Sequence, residues 1–469
     1  MKTEEKSAIP APQANLMEKI VGMPSDVLLK TLQTSEVLVQ KFSVEAEKPF
    51  KKAGQYWHNL GPGLTTGAAD DDPSGIATYS QAGAKYGFNL LWLASFTFPL
   101  MAVVQEMCAR IGLVTGRGLA GNIRRFYPKS IVVACAVLLF AANSFNIGAN
   151  LGAMAKATQL LWPSANFAFL IGAFAAFSLV LQIFISYGQY AKYLKWLALV
   201  LLSYILAAFL VNIDGRELLS RSFVPILDFS KDQIFLVCAV LGTTISPYLF
   251  FWQTSQEVEQ EILEGKTTLK LRTSETSDQE IKKMRVDVWS GMFISNLVMF
   301  FIIALCAATL NAGGITNITS AADAAAALKP LAGAQAYLLF TLGIIGTGLL
   351  AIPILAGSAS YAISETFGWR YGLYRKLKQA QAFYGVIIVS MLAGLLMNFT
   401  GLDAIKALIY SAVLNGLVAP FILILIIQIS SSKKIMGTHA NHPLTNGLGW
   451  LITLLMVAVA VATIVSLFI

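Results

Sequence analysis

Apolar runs of about 20 residues recur along almost the whole chain, and each is long enough to cross the hydrocarbon core of a bilayer as a helix. The strongest fall at approximately 88–113, 130–158, 165–186, 193–213, 233–256, 288–312, 333–357, 382–398, 404–429 and 447–469, which makes ten. Inside a bilayer the backbone has no water to bond to, so such segments are confined to helices. The chain is therefore expected to be an all-α, polytopic membrane protein. Composition removes the soluble alternative: 56% hydrophobic and 13% charged residues, with a mean hydropathy of +0.64, exceed what a water-facing surface tolerates.

An eleventh candidate, about 57–84, is less apolar and carries Asp70, Asp71 and Asp72. Counting it as a span makes the charge pattern consistent. Lys51 and Lys52, Arg117 with Arg124, Arg125 and Lys129, Lys192 and Lys195, Lys282, Lys283 and Arg285, Arg370, Arg375, Lys376 and Lys378, and Lys433 and Lys434 then share one side. By the positive-inside rule that side is cytoplasmic, placing the amino terminus inside and the carboxy terminus outside. Residues 1–52, which mix Lys, Glu, Gln and Ser and lack the apolar stretch of a secretory signal, read as a cytosolic tail; 53–469 read as the transmembrane domain.

Other classes are excluded on the same evidence. The net charge of +8 is spread between apolar spans rather than gathered with aromatics on one face, so no nucleic-acid partner is expected. Cys108, Cys135, Cys238 and Cys306 lie inside spans without CxxC pairing, and read as free thiols rather than disulfides or a zinc site. There is no HExxH, GxSxG or phosphate-binding glycine loop in a suitable context, so the chain is not expected to be an enzyme and no cofactor is implied.

Two spans look damaged in matching places. In Gly67-Ala68-Ala69-Asp70-Asp71-Asp72-Pro73-Ser74-Gly75, three carboxylates and a proline sit where lipid-facing helix would be; Pro73 removes a backbone donor and clashes with the preceding turn. Gly242-Thr243-Thr244-Ile245-Ser246-Pro247 repeats the pattern in the sixth span. If spans one to five (about 57–213) and six to ten (about 233–429) are two repeats, both breaks fall in the first helix of a unit, and five spans per unit inverts the second. That is the arrangement of inverted-repeat carriers with a site at the midplane. An aspartate held in lipid is costly unless it is functional, so Asp72 is the expected centre of an ion site. Asp70 and Asp71 point elsewhere on a helix and are candidates for an outer vestibule.

The groups at both breaks, the Asp72 carboxylate, the Ser74, Thr243, Thr244 and Ser246 hydroxyls and carbonyls freed by unwinding, are all oxygen donors, which suits hard cations such as Mg²⁺, Ca²⁺ or Mn²⁺. His58, His439 and His442 lie near span ends or in a loop, which argues against a histidine proton relay in the membrane. For Asn143, Asn146, Asn150, Asn296 and Asn415 the ordinary reading is an interhelical hydrogen bond, and Glu106 divides between packing and coupling. The charged, Ser/Thr-rich stretch from Glu257 to Arg285 reads as a long loop joining the repeats, either solvated or regulatory.

Gly61-Pro62-Gly63, the Asp72-Pro73 break with Ile76-Ala77-Thr78 and Gln81-Ala82-Gly83-Ala84, and the Pro247 break resemble the NRAMP (natural resistance-associated macrophage protein) metal-ion transporters over about residues 57–430. The resemblance implies a LeuT-like fold of two inverted five-helix repeats with broken helices 1 and 6, plus an extra helix at 447–469, and a metal site at Asp72, Gly75, Thr243 and Ser246. Where the family has Asp-Pro-Gly-Asn, its asparagine position is Gly75; its alanine carbonyl falls at Thr243, its methionine at Ser246, and its two histidines at Tyr248 and Gln253. An acidic pair of the family's third helix falls at Asn146 and Ala149.

Losing the thioether removes the ligand that discriminates against alkaline-earth ions, and replacing Asn by Gly is expected to enlarge the site. The pattern thus looks like the NRAMP-related magnesium transporter branch. The expected function is alternating-access transport of Mg²⁺, with Mn²⁺ also accepted and weak or no proton coupling, in a bacterial inner membrane. Two alternatives stand beside it: a proton-coupled Mn²⁺ or Fe²⁺ importer, and a sodium-coupled organic-solute carrier, whose substrate carboxylate Asp72 would repel.

Overall fold

The computed structural model describes residues 60–468, apart from 186, 275, 319–320 and 402–403. The expected 1–52 tail and His58 lie outside the described residues. Among these, all regular structure is helical.

Span 1 is two half-helices, α1 (Pro62–Asp70) and α2 (Pro73–Tyr86). Span 2 is α3 (Trp92–Thr115), followed by the short surface helix α4 (Leu119–Phe126). Spans 3 and 4 are α5 (Lys129–Leu161) and α6 (Phe167–Phe184), and span 5 combines α7 (Tyr187–Leu197) with α8 (Leu202–Phe209). Span 6 is again two half-helices, α9 (Lys231–Thr244) and α10 (Pro247–Leu263). Then come α11 (Asp278–Cys306), α12 (Ala321–Phe367, kinked at Gly333), α13 (Gln381–Met397), α14 (Ala404–Ser431) and α15 (Pro443–Phe468), spans 7 to 11.

Nine of these segments are long and apolar enough to cross a membrane; the first span, weakened by its aspartates, and the 17-residue α13 complete the set. The fold is the expected one: two inverted five-span repeats, each beginning with a broken helix, and one extra span.

Both breaks follow from the residues flanking a proline. Steric conflict with the proline ring pushes the preceding residue into extended backbone, and Asp72 (φ −69°, ψ 169°) and Ser246 (φ −84°, ψ 131°) are both there. Pro73 and Pro247 then occupy the first position of a new helix, where a missing N–H costs nothing.

Hydropathy misplaces several ends. The seventh span begins at Asp278, not near 288, because Ser277 and Glu280 form a reciprocal capping box that starts the helix outside the apolar run. The expected 257–285 loop is correspondingly smaller: α10 runs to Leu263, and Glu257, Glu259 and Glu261 on it are buried.

Span 1 is seated by glycine contacts and by one carboxylate. A Cβ on Gly67 would stand 2.3 Å from the Gly291 carbonyl oxygen, and one on Gly63 would stand 2.5 Å from the Val288 nitrogen, so α1 and α11 touch backbone to backbone. Gly61 has no side chain to cap α1. Asp287 of α11 does this instead, accepting hydrogen bonds from the backbone N–H groups of Gly61 (2.8 Å), Gly63 (2.7 Å) and Leu64 (3.1 Å). Elsewhere α5 lies along α12, and α9 along α14, where Gly242 and Gly416 allow a similar approach.

Candidate cation site

The two breaks face each other. The Tyr248 hydroxyl of α10 donates to the Ala69 carbonyl of α1 at 2.8 Å, and the Tyr79 and Thr244 hydroxyls are 3.3 Å apart. Thr243 stands against Gly75: a Cβ there would be 3.2 Å from Thr243 Oγ1. Asp72, Gly75, Thr243 and Ser246 are thus brought together in one buried region.

Asp72 is the N-cap of α2. Its Oδ1 accepts from the Gly75 N–H at 2.9 Å and from the Ser74 hydroxyl. Its Oδ2 accepts from two amides on α5, Asn146 Nδ2 at 3.0 Å and Asn150 Nδ2 at 2.9 Å. Asn146 is held in turn by the Ser411 hydroxyl of α14, which donates to its Oδ1 at 2.9 Å. Four donors and the positive end of a helix offset part of the cost of burying this carboxylate. The Asn150 Oδ1 is buried and unpartnered beside this carboxylate, so the position offers oxygen atoms that could hold a cation.

Several expectations are corrected by this geometry. Asn146 and Asn150, read from sequence as packing residues, are direct partners of Asp72; their i, i+4 spacing on the third span was the available signal. Asp70 and Asp71 do not face an outer vestibule, since both are wholly buried. Gly75 does not enlarge the site, because Thr243 and Tyr79 fill the space beside it. At the second break the Ser246 hydroxyl stands 2.7 Å from both the Gly242 and Thr243 carbonyl oxygens and shares its one proton between them.

The break segments contain no soft donor, but Met299 of α11 brings its sulfur to 3.9 Å from the Thr244 hydroxyl. Neither Gln253 nor Glu106 reaches Asp72. Gln253 donates to Glu257 one turn further along α10, at 2.8 Å. Glu106 accepts from Arg285 Nε at 2.9 Å and Trp289 Nε1 at 2.8 Å and pairs with Arg110, an ion cluster tying α3 to α11.

Two inverted five-helix repeats, each opening with a broken helix, make up the architecture of a secondary transporter, and the Asp72 carboxylate lies at the first of the two breaks. A family model described as "Natural resistance-associated macrophage protein-like" matches residues 63–466, and the chain belongs to that family. Curated relatives include the divalent metal cation transporter MntH of Aeromonas hydrophila subsp. hydrophila, 26% identical over 422 residues, covering 87% of this chain and 95% of the relative. MntH of Yersinia pestis is 26% identical over 418 residues with the same coverages. Among solved structures, a manganese transporter of Eremococcus coleocola superposes with a TM-score of 0.69 at 16% identity, covering 88% of this chain and 87% of that one. The chain is accordingly a multi-pass membrane transporter of divalent metal cations.

Proposed function

We propose that the transported ions are Mn²⁺ and Mg²⁺, bound at Asp72 with Thr243, Ser246 and the α5 amides around it, and moved without stoichiometric proton exchange. The observation that carries this reading is the Asp72 environment, one carboxylate surrounded by neutral oxygen and amide groups. Mn²⁺ is supported further by the relatives, whose names specify divalent metal and manganese. Mg²⁺ is supported by the donor set, in which Ser246 supplies a hydroxyl rather than a soft atom; a partly hydrated ion suits such a site. The absence of proton exchange is supported by Asn146, Asn150 and Gln253, amides that carry no titrating proton.

A proton-coupled Mn²⁺ importer is the second reading, favoured by the relatives' names and by the Met299 sulfur beside the second break. Uptake of Mn²⁺ and Mg²⁺ into proteoliposomes holding a pH-sensitive dye separates the two. Saturable uptake of both ions without internal acidification fits the first reading. Mn²⁺-only uptake with acidification establishes the second. The basic loops support an orientation with the amino terminus in the cytoplasm and the carboxy terminus outside, and the bacterial relatives support an inner membrane.

A further inference from the structure

Three consecutive carboxylates at the first break are buried, but their compensation is unequal. Asp72 has four hydrogen-bond donors. Asp70 has one, the Ser295 hydroxyl of α11 at 2.7 Å, and its Oδ1 is buried without a partner. Both oxygens of Asp71 are buried without a partner. Among the described residues no basic side chain forms an ion pair with Asp70 or Asp71.

Adjacent buried carboxyl groups with a single hydroxyl between them lack the partners that burial demands of polar oxygens. The Asp70 carboxylate faces a different helix from the Asp72 carboxylate. Asp72 turns toward Asn146 and Asn150 on α5, whereas Asp70 turns toward Ser295 on α11, and no three acidic, thiol or imidazole groups among the described residues converge on one point.

We propose that Asp70 and Asp71, with the Ser295 hydroxyl, form a second cation station on the α11 side of the break, taking a hard divalent ion such as Mg²⁺ or Mn²⁺. Two carboxylates match a double positive charge, and an oxygen-only set matches a hard ion. The proposal rests on the reading of Asp72 as the transport site, and the two are separable by stoichiometry.

Mn²⁺ binding to the purified full-length protein in detergent, read by electron paramagnetic resonance of the free ion, is the test. Two Mn²⁺ per chain are expected, falling to one in Asp70→Asn/Asp71→Asn and to one in Asp72→Asn. A single Mn²⁺ that is lost only in Asp72→Asn would overturn the second station and leave the transport site standing; no Mn²⁺ binding by the unaltered protein would overturn both. Ser295→Ala keeps all three carboxylates and serves where the double variant does not fold. It is expected to weaken one of the two Mn²⁺ by severalfold and spare the other, and two unchanged affinities would overturn the proposal.

Discussion

The two helix breaks are built from the same local rule and end up chemically unlike. At both, a proline starts a second half-helix and forces the residue before it into extended backbone. At the first, that residue is Asp72, whose side chain caps the new helix and gathers two amides from α5. At the second it is Ser246, whose hydroxyl turns back onto the carbonyls of Gly242 and Thr243. One break carries charge and depends on its neighbours; the other is neutral and satisfies itself. A proline break thus sets one side chain at the start of a half-helix, and the residue before the proline decides whether that position carries a carboxylate or a neutral hydroxyl.

The largest expected difference between the breaks is in transport. Asp72→Ala should reduce Mn²⁺ uptake at least about 100-fold in proteoliposomes, since it removes the only charged ligand assigned to the site, while Ser246→Ala should cost roughly threefold, the order of one hydrogen bond. Equal losses would erase the distinction between a charged and a self-satisfied break.

Next in size is Gly75→Asn. The new Cβ would press on Thr243 Oγ1 and the Asp70 carbonyl oxygen, each 3.2 Å away, and overpacking of this kind costs about 1–3 kcal/mol. A lowered thermal midpoint and about tenfold slower uptake are expected, with Thr243→Ala restoring part of both. Lack of rescue would mean that Gly75 matters for its backbone rather than for its proximity to the second break.

Asp287→Ala tests whether the first break depends on remote support. It leaves three N–H groups at the start of α1 without their acceptor, at about 1–3 kcal/mol for each group that stays buried. Faster hydrogen exchange at Gly63 and Leu64 is the expected signature, with no matching change at Tyr248 and Leu249 at the start of α10; uniform acceleration would indicate general unfolding. The smallest effect belongs to Ser246→Met, which should shift competition severalfold toward Cd²⁺ and Mn²⁺ over Mg²⁺ by supplying a thioether. An unchanged competition profile would remove softness as the basis of selectivity.

The breaks were legible because proline acts on its immediate neighbours. Pro73 and Pro247 fix the backbone at Asp72 and Ser246 whatever surrounds them, and a run of apolar residues needs no partner to declare itself a span. Span ends were less legible, as Ser277 and Glu280 show: a capping box is local, but it lies in a polar stretch that hydropathy discounts. The partners of Asp72 were the hardest to read, since Asn146 and Asn150 are 74 and 78 residues away. Their i, i+4 spacing puts them on one helix face, but it does not say which helix that face meets, and Asn143 one turn earlier bonds instead to the Leu355 carbonyl and Ser358 on α12.

The sequence by itself determined the number of spans, the two proline breaks, the inverted halves and the placing of Asp72 before the first proline, because hydropathy and backbone sterics act over a few residues. Only the tertiary structure decided that Asp70 and Asp71 turn inward, that Thr243 closes on Gly75, that Glu106 is spent on an ion cluster with Arg285 and Trp289, and that Asp287 holds the start of α1. Those outcomes depend on how helices rotate and approach one another, and burial compels each polar group to find a partner on whichever helix packing brings near.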